Sequence, residues 1–189
     1  MAFSDNPKSS DMNAAKTVAT AAASLIVAVA ALAAPAWERQ LDMKAMADAA
    51  KLIEEMFSGK RPYSQKDFQV AAETIQERSG ERLSESYRNE PPTGDSKANS
   101  DAIAASAEEF ERMARELELY ASALVTAAEQ NQGELGPETR MKGSMLLGCP
   151  FGRKAHVLRD AASVPAEHAF HMMLQTCTSC HQRFRLPQR

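Results

Sequence analysis

The chain has 189 residues, the length of a single domain once any leader is removed. A hydrophobic content of 44% with only 6% aromatic residues favours helices over sheets. The formal net charge of −3 gives no support to nucleic-acid binding, and no acid, base or nucleophile constellation that would mark an enzyme is visible.

Residues 1–36 read as a leader. Met1 to Asp11 is polar and unpatterned; Thr17 to Ala36 is uncharged, small-residue-rich and preceded by Lys16. This is the pattern of a secretory signal peptide, with Ala-x-Ala cleavage options after Ala33 or Ala36, and Met12 as an alternative start. The other reading is an uncleaved anchor, because twenty uncharged residues can span a bilayer. Either way the remainder, 37–189, is expected outside the cytoplasm as one domain.

The spacing predicts a first helix over Glu38 to Ser58. Met43, Met46, Ala50, Ile53 and Phe57 recur at steps of three and four, which is the seam of a helix packed in a bundle. Gly59 ends it. A second helix is expected from Ser64, an N-cap with Asp67 three residues on, and its apolar face is Phe68, Ala71, Ala72, Ile75 and Leu83, thinning towards Tyr87. Asn89 to Ser100 is a loop rich in breakers. The third helix, Asp101 to Gln130, carries a stripe of Ile103, Ala107, Phe110, Ala114, Leu117, Ala121, Leu124 and Ala128.

Asn131 to Val164 is punctuated by glycine and long for a connection within a bundle, so it holds a short helix of its own or serves a function. Basic residues (Arg140, Lys142, Arg153, Lys154, Arg159) outnumber acids there, which suits either a solvated loop or a docking surface. Pro165 then opens a last helix whose seam is Phe170, Met173, Cys177, Cys180 and Phe184. Four amphipathic helices without strands predict an all-α, antiparallel four-helix bundle.

The chemistry sits on that last helix, in Cys177-Thr178-Ser179-Cys180-His181. Cys-x-x-Cys-His is the pattern of covalent c-type haem attachment. Positions i, i+3 and i+4 project two thiols and an imidazole from one helix face, so the thiols can add to the haem vinyl groups while the imidazole ligates iron. A thioredoxin-like redox pair would sit in a βαβ pattern, and structural zinc would need further ligands; neither context is visible. One haem c leaves a single thiol over, Cys149, read as a small buried residue or an intermolecular link.

A sixth iron ligand must come from another helix. His171 is ten residues before His181 on the same helix, about 15 Å of rise, and His168 is farther still. His156, in the long loop, has no assigned role. Met43 and Met46 lie on the core seam of the first helix, whereas Met113 lies off the third helix's register. A seam methionine serves as filler or as ligand, and the pattern alone leaves both open.

A haem motif near the C-terminus of an exported four-helix protein resembles the class II c-type cytochromes: cytochrome c′ and its low-spin, methionine-ligated relatives. Cys177-Thr-Ser-Cys-His181-Gln-Arg-Phe184-Arg185 is similar to the family's ending. Arg39-Gln-Leu-Asp-Met43-Lys-Ala-Met46, followed by Gly59-Lys-Arg-Pro62-Tyr63, is similar to its first helix and exit. The resemblance runs from about Glu38 to Arg185 and departs at Asn131 to Val164, which is longer than the family pattern.

The resemblance implies that Cys177 and Cys180 hold the haem, that His181 is the proximal ligand, that Arg39 reaches a propionate and that Arg185 sits against the proximal side. It places Met43 at the distal face. In the methionine-ligated branch that sulfur completes a low-spin iron, giving a periplasmic single-electron carrier served by redox partner proteins. In cytochrome c′ the equivalent side chain shields an open site that takes nitric oxide and other small gases. A homodimer through the first two helices is also implied. Membrane association is expected only with an uncleaved leader.

Overall fold

The computed structural model describes residues 36–89, 92, 96–142 and 161–187. The leader and the thiol of Cys149 lie outside the described residues, as does His156. Among the described residues the chain forms helices α1 (Ala36–Phe57), α2 (Gln65–Glu77), α3 (Gly80–Asn89), α4 (Ser100–Ala105), α5 (Ala107–Gln130) and α6 (Ala166–Phe184). No described helix is long and apolar enough to cross a membrane.

Helix α1 buries Met46, Ile53 and Phe57 of its predicted seam, together with Ala49 and Met56, whereas the predicted Met43 and Ala50 are only half-buried. Its end is fixed by Gly59 at φ 74°, a left-handed position that lets the Gly59 N–H bond to the Met56 carbonyl and the Arg61 N–H to the Glu55 carbonyl. Ser64 caps α2 as its sequence suggests, its hydroxyl accepting from the Asp67 N–H at 3.3 Å. Pro165 is the residue flanking α6 rather than its first helical position.

Two predicted helices are each broken in two. The second breaks at Arg78–Ser79, where the Ser79 hydroxyl turns back onto the Gln76 carbonyl and Gly80 takes φ 61°. Gly80 lies against the carboxylate of Glu118 on α5, and its own backbone is left-handed. The exposed Glu118 carboxylate can swing away; the backbone cannot. Gly80→Ala should therefore lower stability by about 1–2 kcal/mol, the cost of a left-handed non-glycine residue. An unchanged denaturation midpoint would show that this turn is not held as described.

The third predicted helix breaks at Ser106, so Ala107 is exposed rather than part of the core stripe. The stripe resumes with Phe110, and every later member is buried. The short α4 is capped by Asn99, whose side-chain oxygen accepts from the Ala102 N–H. It is tied to the chain's end by backbone pairing: Asn99 N–H donates to Phe184 at 2.8 Å and Leu186 N–H to Lys97 at 2.8 Å, with Ala98 bridged to Arg185. The long connection after α5 contributes two 3-10 turns, Pro137–Thr139 and Ala161–Ser163, among its described residues.

The core has two parts. The larger packs Ile53, Phe68, Ile75, Leu124, Phe170 and Met173, with Phe57 at 5.6 Å from both Phe68 and Phe170. The smaller packs Leu83, Ile103, Phe110, Ala114 and Phe184. In it, Phe110 sits at 5.2 Å from both Tyr87 and Phe184 in edge-on contacts. Met43 touches both clusters.

Candidate functional site

The Cys-x-x-Cys-His motif straddles the two cores. Cys177, one turn after the buried Met173, packs on the larger cluster; Cys180 packs on the smaller. Both are half-buried and unpaired. Burial pushes both thiols up to about 11, aided at Cys180 by the neighbouring Cys177 and Glu109. They are therefore protonated thiols at neutral pH. His181 follows on the exposed rim, and burial of its ring together with the nearby Arg185 cation holds it below the ordinary histidine range. It is a neutral imidazole with a lone pair for a metal.

A cavity of about 380 Å³ opens beside these groups. Helix α1 contributes Arg39, Met43, Lys44 and Ala47 to its wall; the end of α6 contributes Cys180, His181, Phe184 and Arg185. Tyr87, Ile103 and Phe110 form an apolar back, and the paired segment brings in Lys97 and Ala98. Cys177 stands one turn away from this wall, outside the lining.

Arg39 is almost wholly buried, at 5% exposure. Its guanidinium donates to the Ser86 carbonyl at 2.9 Å and lies 4.9 Å over the Tyr87 ring, so carbonyl and aromatic face hold the charge inside. Met43 is half-buried on the cavity wall. Met46 is buried in the larger core and does not reach the cavity, and Met113 packs on the smaller cluster away from it. His168 and His171 lie towards the start of α6, away from the wall.

A covalent haem can be tested against this site. Its vinyl groups need two reduced thiols one helical turn apart, which Cys177 and Cys180 supply. Its iron needs an unprotonated imidazole, which His181 supplies. Its macrocycle needs an apolar slot, and about 380 Å³ falls within the span of cofactor pockets, about 300–1,000 Å³. Its carboxylates need cations: Arg39, Lys44, Lys97 and Arg185 line the cavity and no acid does. The residues fit the group. No cluster of three or more His, Cys, Asp or Glu arranged for a metal ion occurs among the described residues.

Tyr87, Lys97 and Ala98 were not marked by sequence pattern. Tyr87 reads as the thinning end of a helix, and Lys97 and Ala98 as part of a breaker-rich loop. Only the pairing with Phe184 to Leu186 brings that loop to the site, and no local signal encodes a contact across some ninety residues.

A family model described as Cytochrome C′ matches residues 34–143, more than half of the chain. The match includes Arg39 and Met43 and ends before Cys177. Among solved structures, cytochrome c′ from Thermochromatium tepidum aligns at 17% identity and TM-score 0.54, covering 82% of this chain and 99% of that one. Cytochrome c prime from Shewanella frigidimarina aligns at 18% identity and TM-score 0.52, covering 79% and 91%. A mutant of the Rhodopseudomonas palustris protein aligns at 21% and 0.52, covering 80% and 96%. At such identities these structures speak for the fold. No curated protein matches. The family match over α1 to α5, the shared four-helix bundle and a C-terminal attachment motif facing a cavity of the right chemistry agree: the chain belongs to the cytochrome c′ family of class II c-type cytochromes, haem proteins with covalent haem c.

Proposed function

We propose that the protein is a periplasmic carrier of single electrons, with haem ligated by His181 and Met43, and not an enzyme. The observation that carries this reading is the position of Met43: its side chain shares a cavity wall with Cys180 and His181 and packs against both cores. A thioether gripped on two sides is poorly placed to swing aside for an incoming gas. The periplasmic location follows the habit of the family.

Haem c, when bound, supplies a one-electron iron couple, and methionine–histidine ligation raises its potential. The chain supplies the rest. His181 offers an uncharged nitrogen, Met43 a soft sulfur, and Arg39 and Arg185 stand where carboxylates need countercharge. Phe110, Phe184 and Ile103 keep the slot apolar, which sets the local dielectric and favours the less charged state.

The second reading is a gas-binding protein with an open iron site. It is favoured by the solved relatives named above, which are cytochromes c′ by name. The two part under carbon monoxide. A carrier in its ferrous state shows sharp low-spin bands that are unmoved by the gas over minutes; rapid formation of a carbonyl spectrum would overturn the carrier reading in favour of the second.

A further inference from the structure

A second set of soft donors sits at the other end of α6. The His168 Nδ1 atom lies 3.1 Å from the Met141 Sδ atom, the two residues being twenty-seven positions apart in sequence. His168 is thirteen residues before His181 on one helix, about 20 Å along its axis, so this contact is separate from the haem cavity. Met172, half-buried, follows His168 by one turn on the same side of α6.

The approach of Met141 is enforced by its neighbours. The Met141 N–H donates to the Glu167 carboxylate at 2.7 Å. The adjacent Arg140 donates to the Phe57 carbonyl at 2.8 Å, and its Nε lies 3.6 Å from the same carboxylate. These contacts already fasten the segment to the bundle, so the thioether is not needed as an anchor. A thioether sulfur is in any case only a weak hydrogen-bond acceptor. What the arrangement does create is an imidazole nitrogen and a thioether sulfur held side by side on a half-buried surface.

We propose that Met141, His168 and Met172 form a binding site for a monovalent soft cation, Cu(I). Thioether and imidazole donors select Cu(I) over hard divalent ions, because polarisable sulfur bonds weakly to Mg²⁺ or Ca²⁺. The spacing suits it. Bonds of about 2.0 Å to imidazole nitrogen and about 2.3 Å to sulfur at a tetrahedral angle set the donors about 3.5 Å apart, a few tenths of an ångström beyond the present contact. Binding uses the tautomer that carries its ring proton on Nε2, which leaves the Nδ1 lone pair for the metal. Glu167, ion-paired with Arg140, is a positioning residue that keeps Met141 in place.

The test uses the full haem-loaded chain carrying Cys149→Ser, which removes the remaining thiol. It is titrated calorimetrically in chloride-free buffer with Ag(I), the redox-inert counterpart of Cu(I). One equivalent is expected to bind. His168→Ala and Met141→Leu should each weaken it by about 100-fold, and Glu167→Gln by about 10-fold, as for residues that support metal ligands. An unchanged haem spectrum in each variant certifies the fold. Absence of binding in the Cys149→Ser protein overturns the proposal, and so does binding that survives both His168→Ala and Met141→Leu.

Discussion

A chain in which Cys177 and Cys180 are both replaced by alanine is expected to purify without covalent cofactor, losing all haem that survives denaturation and acid–acetone extraction. The two single variants should each retain one thioether and show a pyridine haemochrome band displaced from that of the parent. The effect is large because the thiols have no partner other than the cofactor: both are unpaired. An apolar slot of about 380 Å³ with four cations on its wall is also left unfilled. A cofactor held only by the folded chain adds to its stability, and that contribution goes with it. Hence the colourless variant should also melt earlier than the loaded parent. A double variant that still carried extraction-resistant haem would sink the site assignment.

Met43→Ala is expected to convert the visible spectrum from low-spin to high-spin, to let ferrous protein bind carbon monoxide rapidly, and to lower the reduction potential by on the order of 0.1 V. Axial ligands in haem proteins span about 0.8 V. The cost in stability should be small, about 1 kcal/mol, because the side chain is only half-buried. Met46→Ala supplies the opposite signature. That side chain is 7% exposed in the larger core, so its truncation should cost about 2–5 kcal/mol and leave the spin state alone. If Met43→Ala kept a low-spin spectrum, ligation by Met43 would be wrong.

The contrast between these methionines marks what a linear pattern can carry. Both sit on the periodic seam of α1, and periodicity says only that a residue faces inward. It cannot say whether the inward side is filled or hollow, since that depends on what the other helices bring. The attachment motif is different: five adjacent residues on one helix turn carry their geometry with them, so it was readable without any tertiary information. Gly80 and Ser106 show the converse. Apolar steps run smoothly through both breaks, yet Gly80 takes a left-handed φ and Ser106 is followed by the exposed Ala107, which no apolar spacing announces. Arg39 was legible only through family likeness. Its burial depends on the Ser86 carbonyl and the Tyr87 ring, which no spacing rule on α1 would announce.

The burial of the two thiols also bears on the order of events in biogenesis. With both held near 11, only about one in ten thousand is ionised at neutral pH, and each is half-buried among packed neighbours. A finished bundle would thus be a poor acceptor for its own prosthetic group. Thioether formation is therefore expected to run faster before α6 docks than after it, with the chain loaded while still open.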